Sequence, residues 1–445
     1  MFDFSELLGT SGAFSEILPS FTPRNAQQTL AGAIGRALVQ QDTLVAEAGT
    51  GTGKTFAYLI PALISGKRIL ISTGTRTLQD QLYHRDLPVV RQVLGMPAKM
   101  ALLKGRSNYL CRHRLGVALH HGGGLFNRRE QADELGRVSD WANSTRSGEI
   151  SELGTVPESS PLWPQVTSTV ENCLGQECPE YGSCFLLEAR RRAQEADIVV
   201  INHHLLLADM LLKEEGFGAL LPGVDAVIVD EAHQLPDIAS QHFSTAFSSH
   251  RLHELLRDSR REYREAAADS SEIVNILEVT ESRLGELQQL SSKLETRTEW
   301  QVLQSQIAFQ SSLHALDTAL NTLQQALEIL AERSIGLKNC WQRANTLAAR
   351  LSQFVEKGQA ELYVRWIERF GNGFSLNLTP LDVAGRFQSC MRELGCGWIF
   401  LSATLSINGG FEHFRERLGL TNAEELLLGS RSEEHTSELQ SRHNL

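Results

Sequence analysis

Eight consecutive residues, Ala48-Gly49-Thr50-Gly51-Thr52-Gly53-Lys54-Thr55, have the composition and spacing of a phosphate cradle, with Ala where the usual pattern begins with Gly. Glycines let main-chain N–H groups turn inward around phosphate oxygens, and the N-terminus of a following helix adds positive potential. Lys54 is the residue that reaches the outer phosphates, and the Thr55 hydroxyl is a Mg²⁺ ligand. An apolar run precedes the loop and the helix-forming stretch Phe56–Ile64 follows it, which is the context such a loop requires. A plain glycine turn before a helix is the bland alternative, and the Lys-Thr pair behind a strand argues against it.

A second polar box, Asp230-Glu231-Ala232-His233, follows the apolar run Ala226–Val229. A carboxylate at a strand end beside a phosphate loop holds Mg²⁺, and an adjacent carboxylate orients or deprotonates the attacking water. Asp230 is therefore assigned to the metal and Glu231 to the water, with His233 coupling the site to other segments. An Asp-Glu pair capping a helix start looks the same in isolation. The phosphate loop upstream decides between the two.

Cys111, Cys173, Cys178 and Cys184 form a spaced set whose last three read C-x4-C-x5-C, whereas Cys340, Cys390 and Cys396 are scattered and are expected to pack as small apolar residues. Four thiolates suit either zinc or a [4Fe–4S] cluster, and a set that binds no metal is the third reading. The set lacks the short paired knuckles of structural zinc, and its uneven spacing favours a cluster.

Elements that position these boxes are legible as short apolar runs ending in polar residues: Thr43–Ala46, Arg68–Ile71, Asp197–Ile201, Ala226–Val229 and Trp398–Leu401. Strands apolar on both faces suit a parallel sheet covered by helices, and ligands in such sheets bind at the carboxyl ends of the strands. Between roughly 240 and 388 the pattern turns helical, with one row of Leu313, Leu316, Leu320, Leu323, Leu327 and Leu330 and another of Leu277, Leu284, Leu287 and Leu294. These rows are expected to pack helices within one domain rather than to form a separate coiled coil. At 445 residues, several domains are expected. No run of about 18 apolar residues and no secretory pattern is present, which predicts no membrane span and a cytoplasmic location. The net charge of −11 argues weakly against a polyanion partner. Two local runs are basic, however: Lys104, Arg106, Arg112, Arg114, Arg128 and Arg129, and then Arg190, Arg191 and Arg192.

In order, these boxes resemble the superfamily 2 iron–sulfur helicases of the XPD and DinG type, over residues from about 15 to 430. The likeness includes Pro23-Arg24-Asn25-Ala26-Gln27, where the family's Gln contacts adenine, and Glu47–Thr55 as motif I. Ser72–Leu82 resembles motif Ia, which touches single-stranded DNA. Lys104–Cys111 resembles the approach to the cluster domain, and Ala196–His203 the return into the motor lobe. Asp230–His233 is motif II and Ser402-Ala403-Thr404 is motif III. The resemblance implies an α/β fold: a P-loop RecA-like parallel-sheet lobe interrupted by an iron–sulfur domain and by a helical Arch domain. It implies ATP with Mg²⁺ and a [4Fe–4S] cluster on Cys111, Cys173, Cys178 and Cys184. It also implies 5′ to 3′ movement on single-stranded DNA, unwinding of forked or overhanging duplexes, and a role in repair or replication. DNA contacts are expected at Thr73, Thr75 and Arg76, and Tyr109, Arg112 and Arg114 are candidate groove residues. Ser402 and Thr404 are expected to couple hydrolysis to movement. The alternatives are an iron–sulfur nucleic-acid-binding module with a degenerate ATPase, against which the intact Lys54, Thr55, Asp230 and Glu231 argue, and an RNA helicase.

The expected divisions are 1–103 for the first part of the lobe, 104–195 for the cluster domain and 196–239 for the lobe again. The Arch takes 240–390, and 391–430 ends the lobe and begins a second. About 40 residues follow motif III, too few for a complete second lobe, so its motifs and arginine finger are expected to be missing. The chain alone is then expected to bind and hydrolyse ATP poorly. Residues 431–445 resemble a translated sequencing adapter and are expected to be a non-native tail.

Overall fold

The structure is a computed structural model that describes residues 4–19, 21–125, 129–214, 220–266, 271–356 and 363–429. Arg128 and the tail 431–445 lie outside the described residues. Two compact units are present. One is built from the described parts of Met1–Gly105, Phe185–His242 and Asp382–Leu445, the other from those of Arg106–Cys184 and Phe243–Leu381. The strands are β1 (Thr43–Ala48), β2 (Ile69–Thr73), β3 (Met100–Leu102), β4 (Ile198–Asn202), β5 (Ala226–Asp230), β6 (Thr245–Ser248), β7 (Arg297–Glu299), β8 (Tyr363–Phe370), β9 (Gly373–Pro380), β10 (Gly397–Ser402) and β11 (Glu424–Leu428). The principal helices are α1 (Asn25–Gln40), α2 (Lys54–Ile64), α3 (Arg76–Gln81), α4 (Arg112–Leu125), α5 (His203–Glu214), α6 (Ser249–Ala266), α7 (Ser271–Ser291), α8 (Ile307–Leu330) and α9 (Ile335–Val355).

The first unit is a parallel sheet in the order β11-β1-β10-β5-β2-β4-β3. All five apolar runs of the sequence lie in it. β2 and β10 are buried along their whole length, as strands covered on both faces should be. Helices α1 and α2 supply much of the apolar layer against the sheet, through Leu30, Ile34, Leu38, Leu59 and Ile60. All the polar boxes sit where their strands end: the phosphate loop after β1, motif Ia after β2, the acidic box at the end of β5 and Ser402-Ala403-Thr404 at the end of β10.

Two edge strands escaped the sequence reading. Strand β3 is only three residues long, and β11 has the acidic start Glu424-Glu425. Strand β11 pairs in parallel with β1, so the chain through Leu428 completes the first sheet rather than beginning a second lobe. The division at 104–195 also shifts. Lys104 is buried against Asp80, 2.7 Å away, and Phe185–Gln194 is a helix packed near β3, so both ends of that segment belong to the sheet unit.

In the second unit both leucine rows are buried in one core, with Leu294 packed at its margin, as within-domain packing requires. The unit is not purely helical. An antiparallel sheet of order β6-β9-β8-β7 underlies the helices, placing Phe247, Ile367, Phe374, Leu376 and Leu378 in the same core. The alternation in Tyr363–Phe370 is a half-buried strand pattern. Leu320→Ala in α8 removes a fully buried side chain from the middle of this core. It is expected to cost about 2–5 kcal/mol of stability, read by denaturant titration of the second unit's transition.

Candidate nucleotide site and cysteine cluster

The phosphate loop depends on glycine at two positions. Gly51 and Gly53 have φ of 81° and 82°, a region open to Gly and costly for other residues. A Cβ on Gly53 would also stand 2.3 Å from the Gln27 amide nitrogen. That nitrogen donates to the Gly53 carbonyl at 2.9 Å, fixing Gln27 of α1 above the loop. The Gln27 Oε1 atom is buried without a hydrogen-bond partner among the described residues. An acceptor held this way beside the loop is the group that an adenine amino group would satisfy. Lys54 Nζ donates to the carbonyls of Ala48, at 2.8 Å, and Gly49, at 3.4 Å, and the Thr52 hydroxyl donates to Gly49 at 2.9 Å. The loop is thus held in its curved form by its own side chains, with Lys54 at the mouth.

Asp230 lies deep at the end of β5. Tyr58 of α2 donates to its Oδ2 at 3.0 Å, and the Glu231 N–H donates to Oδ1 at 3.0 Å. Burial, with the Glu231 charge beside it, pushes the Asp230 carboxyl up to about 6, while Tyr58 and Lys54 act in the opposite direction. The Tyr58 phenol is raised well above its ordinary value, chiefly by burial and then by Asp230, and the Thr55 side chain hydrogen-bonds in the same place. Thr55, Tyr58, Asp230 and Lys54 therefore meet in one small volume, which is the donor set a magnesium–phosphate pair needs.

A pH dependence follows. A carboxyl whose native pKa is raised from 3.8 to about 6 binds its proton more tightly when folded, so it adds stability as pH falls through 6 toward 3.8 and removes it above. Mg²⁺ needs the ionised form. Magnesium-dependent nucleotide affinity is expected to fall about tenfold per pH unit below 6. A calorimetric titration from pH 5 to 7.5 checks this, and Asp230→Asn should flatten the profile.

Glu231 occupies the left-handed region with φ 58°, a strained position for a residue with a side chain. Its Oε2 accepts from the Ser402 hydroxyl at 3.4 Å and lies 3.3 Å from His233 Nδ1, and His233 Nδ1 is 2.8 Å from Ser402 Oγ. The end of β10 is thereby joined to the acidic box. Thr404 is linked through its N–H to Ser402 Oγ at 3.4 Å. Glu47, at the end of β1, accepts from the N–H groups of Leu405 and Ser406 at 2.5 and 2.6 Å. This tie joins the loop after motif III to the residue before the phosphate loop, two positions too far apart in sequence for their contact to be read from it.

The candidate DNA contacts divide. Thr75 and Arg76 are exposed. Thr75 caps α3, its Oγ1 accepting from Leu78 N–H at 3.2 Å. Thr73 is buried and donates to Thr75 O at 3.3 Å, so it shapes the turn. In the second unit, Tyr109 is 2% exposed and Arg114 is 9% exposed, which corrects their expected role as groove residues. Tyr109 is held by a backbone bridge to Glu149, and Arg114 donates to Pro164 O at 3.3 Å under the pull of Asp258. Arg112 is half-buried and donates to Ala142 O at 3.1 Å. Basic residues here serve packing where sequence alone suggested a polyanion groove.

Cys111, Cys173, Cys178 and Cys184 are all free thiols of intermediate burial. Cys111 precedes α4, and its sulfur accepts from the Arg114 main-chain N–H; Cys178 accepts likewise from Glu180. Burial raises both thiols, and so do their cysteine neighbours, Cys173 for each. The loop that bears Cys173 and Cys178 is anchored by Arg251–Glu171 at 2.7 Å, Lys338–Glu177 at 2.8 Å and the Asn339 amide on Glu171 O at 3.0 Å. Among the described residues no three His, Cys, Asp or Glu side chains converge closely enough to hold a single metal ion. A four-iron cluster imposes a wider spacing, because each thiolate binds a different iron. The main-chain N–H groups favour thiolates at Cys111 and Cys178, against the larger effect of burial. Cys340 and Cys390 are buried and Cys396 is half-buried, consistent with packing roles. No helix among the described residues is long and apolar enough to cross a membrane.

The chain matches the DEAD/DEAH box helicase family over residues 26–115 and the DEAD_2 family over 150–252. It is 40% identical over 431 residues to the ATP-dependent DNA helicase YoaA of Haemophilus influenzae, covering 96% of this chain and 66% of that protein. It is 42% identical to YoaA of Escherichia coli, covering 94% and 65%, and 29% identical to the ATP-dependent DNA helicase DinG of Photobacterium profundum, covering 91% and 66%. The chain thus spans just under two thirds of the length of these relatives. A solved structure titled XPD helicase shares the fold with a TM-score of 0.51 at 13% identity, covering 93% of this chain and 63% of that one. Identity of 40–42% along more than nine-tenths of the chain makes it similar to the YoaA helicases in sequence as well as in fold.

Proposed function

We propose that the chain works as the nucleotide-binding motor lobe, with two inserted domains, of an ATP-dependent DNA helicase that moves 5′ to 3′ along a single strand. The observation that carries this reading is the meeting of Lys54, Thr55, Asp230 and Glu231 at the ends of β1 and β5, with an unsatisfied Gln27 oxygen beside the loop. Lys54 leaves its loop carbonyls for the phosphates. Thr55 and Asp230 would hold Mg²⁺. Glu231, pinned by Ser402 and His233, takes the proton of the attacking water. Ser402 and His233 then report on the state of Glu231, which is how hydrolysis reaches the rest of the lobe. Exposed Thr75 and Arg76 meet the strand's phosphates. Cys111, Cys173, Cys178 and Cys184 would hold a [4Fe–4S] cluster, which would supply a rigid crosslink between segments distant in sequence, and the helical 243–381 region corresponds to the Arch.

Strand separation tests the reading. Forked duplexes and duplexes with a single 5′ or 3′ overhang are incubated with ATP, Mg²⁺ and a protein that carries this chain together with a complete second motor lobe. Separation of the fork and the 5′-overhang substrate, with the 3′-overhang substrate left intact, is expected. Preference for the 3′ overhang would overturn the polarity, and preference for an RNA strand of the same sequence would overturn the DNA assignment. For the cluster, anaerobic purification should give a brown protein with about four irons per chain. Stoichiometric zinc without iron would contradict it.

A further inference from the structure

The end of β4 runs into a histidine that the reading above leaves unused. His203 is fully buried at the start of α5. Its Nδ1 lies 2.7 Å from the Ser72 hydroxyl of β2, and the main chain of Glu231 and Asp230 borders its ring. Its Nε2 makes no well-aligned hydrogen bond among the described residues, and the backbone acceptors beside the ring are those of Glu231 and Asp230. The sheet order explains the reach. Strand β2 lies between β5 and β4, with Thr73 opposite Asn202 and Ser72 opposite Val229, so a ring at the end of β4 spans β2 to reach the end of β5. A buried imidazole is a poor space-filler, because its polar nitrogens lose water. What it touches is the one acidic-box residue in a left-handed conformation, at φ 58°. Such a conformation persists only when its surroundings over-determine it. The Glu231 carboxylate is held by Ser402 and His233, and Gln234 packs on Gly74 so closely that a Cβ there would stand 2.5 Å from its oxygen. The peptide itself is bordered by His203.

We propose that His203 is a positioning residue that holds the Glu231 peptide in its left-handed turn and, through Ser72, ties that turn to the Thr73–Arg76 segment at the end of β2. The role rests on the reading of Glu231 as the water-orienting carboxylate. It makes the placement of that carboxylate sensitive to whatever occupies Thr75 and Arg76, with no direct contact between a bound strand and the nucleotide. Three strand ends then act as one unit: β2 senses, β4 transmits and β5 performs.

His203→Leu and His203→Gln test this. Single-turnover ATP hydrolysis is measured with and without a single-stranded oligonucleotide, alongside Mg·ADP affinity. His203→Leu is expected to slow hydrolysis at least tenfold with Mg·ADP affinity within twofold of the parent. His203→Gln, whose amide restores a donor and an acceptor, should recover a third or more of the parent rate. Equal losses of rate and affinity, or an unchanged rate in His203→Leu, would overturn the proposal. A crystal structure of a His203 variant gives a reading independent of activity. Glu231 is expected to leave the left-handed region when His203 is Leu, and a φ still near 58° in that variant defeats the proposal even if the nucleotide site itself proves inactive. Should His203→Leu not fold, the same structure and rates are read in His203→Gln, where parent-like values support the role and a Leu-like loss of rate with φ unchanged refutes it. Hydrolysis that survives Lys54→Ala unchanged would instead sink the nucleotide-site assignment, which separates the two failures.

Discussion

Glu231→Gln is expected to slow ATP turnover by about 10²–10⁴-fold while leaving Mg·ATP binding within about twofold. The amide keeps the size of the side chain and can still meet Ser402 and His233, which lie 3.4 and 3.3 Å from Oε2. What it loses is the ability to take a proton from water. In the proposed site the metal falls to a different residue, Asp230, which keeps its Tyr58 and main-chain partners in the variant. The split between rate and affinity is therefore the signature. Single-turnover hydrolysis and equilibrium nucleotide titration on the same preparation measure it. A parallel loss of affinity would mean that Glu231, rather than Asp230, carries the magnesium.

Lys54→Ala acts on the other term. The Lys54 ammonium is held by two carbonyls, and on the proposed reading it exchanges them for phosphate oxygens. Charge-assisted contacts to phosphate are among the stronger hydrogen bonds, at about 1.5–3 kcal/mol each. Losing one to two of them is expected to weaken Mg·ATP by about 10²-fold or more, since each ~1.4 kcal/mol is tenfold. The fold should hold, because Lys54 lies at the first turn of α2 and the buried residues of that helix begin at Ala57. Fluorescence titration with a labelled nucleotide measures the affinity, and an unchanged thermal transition shows that the lobe is intact.

Much of this site was legible because its chemistry is local. The phosphate loop, the acidic box and Ser402-Ala403-Thr404 each follow a run of apolar residues, and a parallel sheet gathers strand ends on one edge by topology. Long-range contacts were not legible. Glu47 reaching Leu405 and Ser406, and His203 reaching Ser72 and Glu231, depend on which strands are neighbours, and apolar runs do not state their order. Exposure was equally hidden. Arg114 and Tyr109 have the residue types of a nucleic-acid groove, yet one is turned toward Pro164 and the other joined to Glu149 in a bridge. Short or edge strands failed for a different reason. Met100–Leu102 is too short to show a period, and the Glu424-Glu425 start of β11 is tolerated because Arg36 and Arg415 pair with it at 3.3 and 2.5 Å. The hairpin β8–β9 alternates as a strand should but sits amid helical leucine rows, whose stronger signal masked it.

The central claim is that one ATP site, closed by Lys54 and Glu231, drives action on a DNA strand. Single-turnover ATP hydrolysis, with and without single-stranded DNA, tests it most directly when the chain joined to a complete second motor lobe is compared with its Lys54→Ala variant. Hydrolysis in the unsubstituted protein that rises when the strand is added and vanishes in Lys54→Ala is the predicted result. Equal hydrolysis in both proteins, or a rate indifferent to the strand, would contradict it.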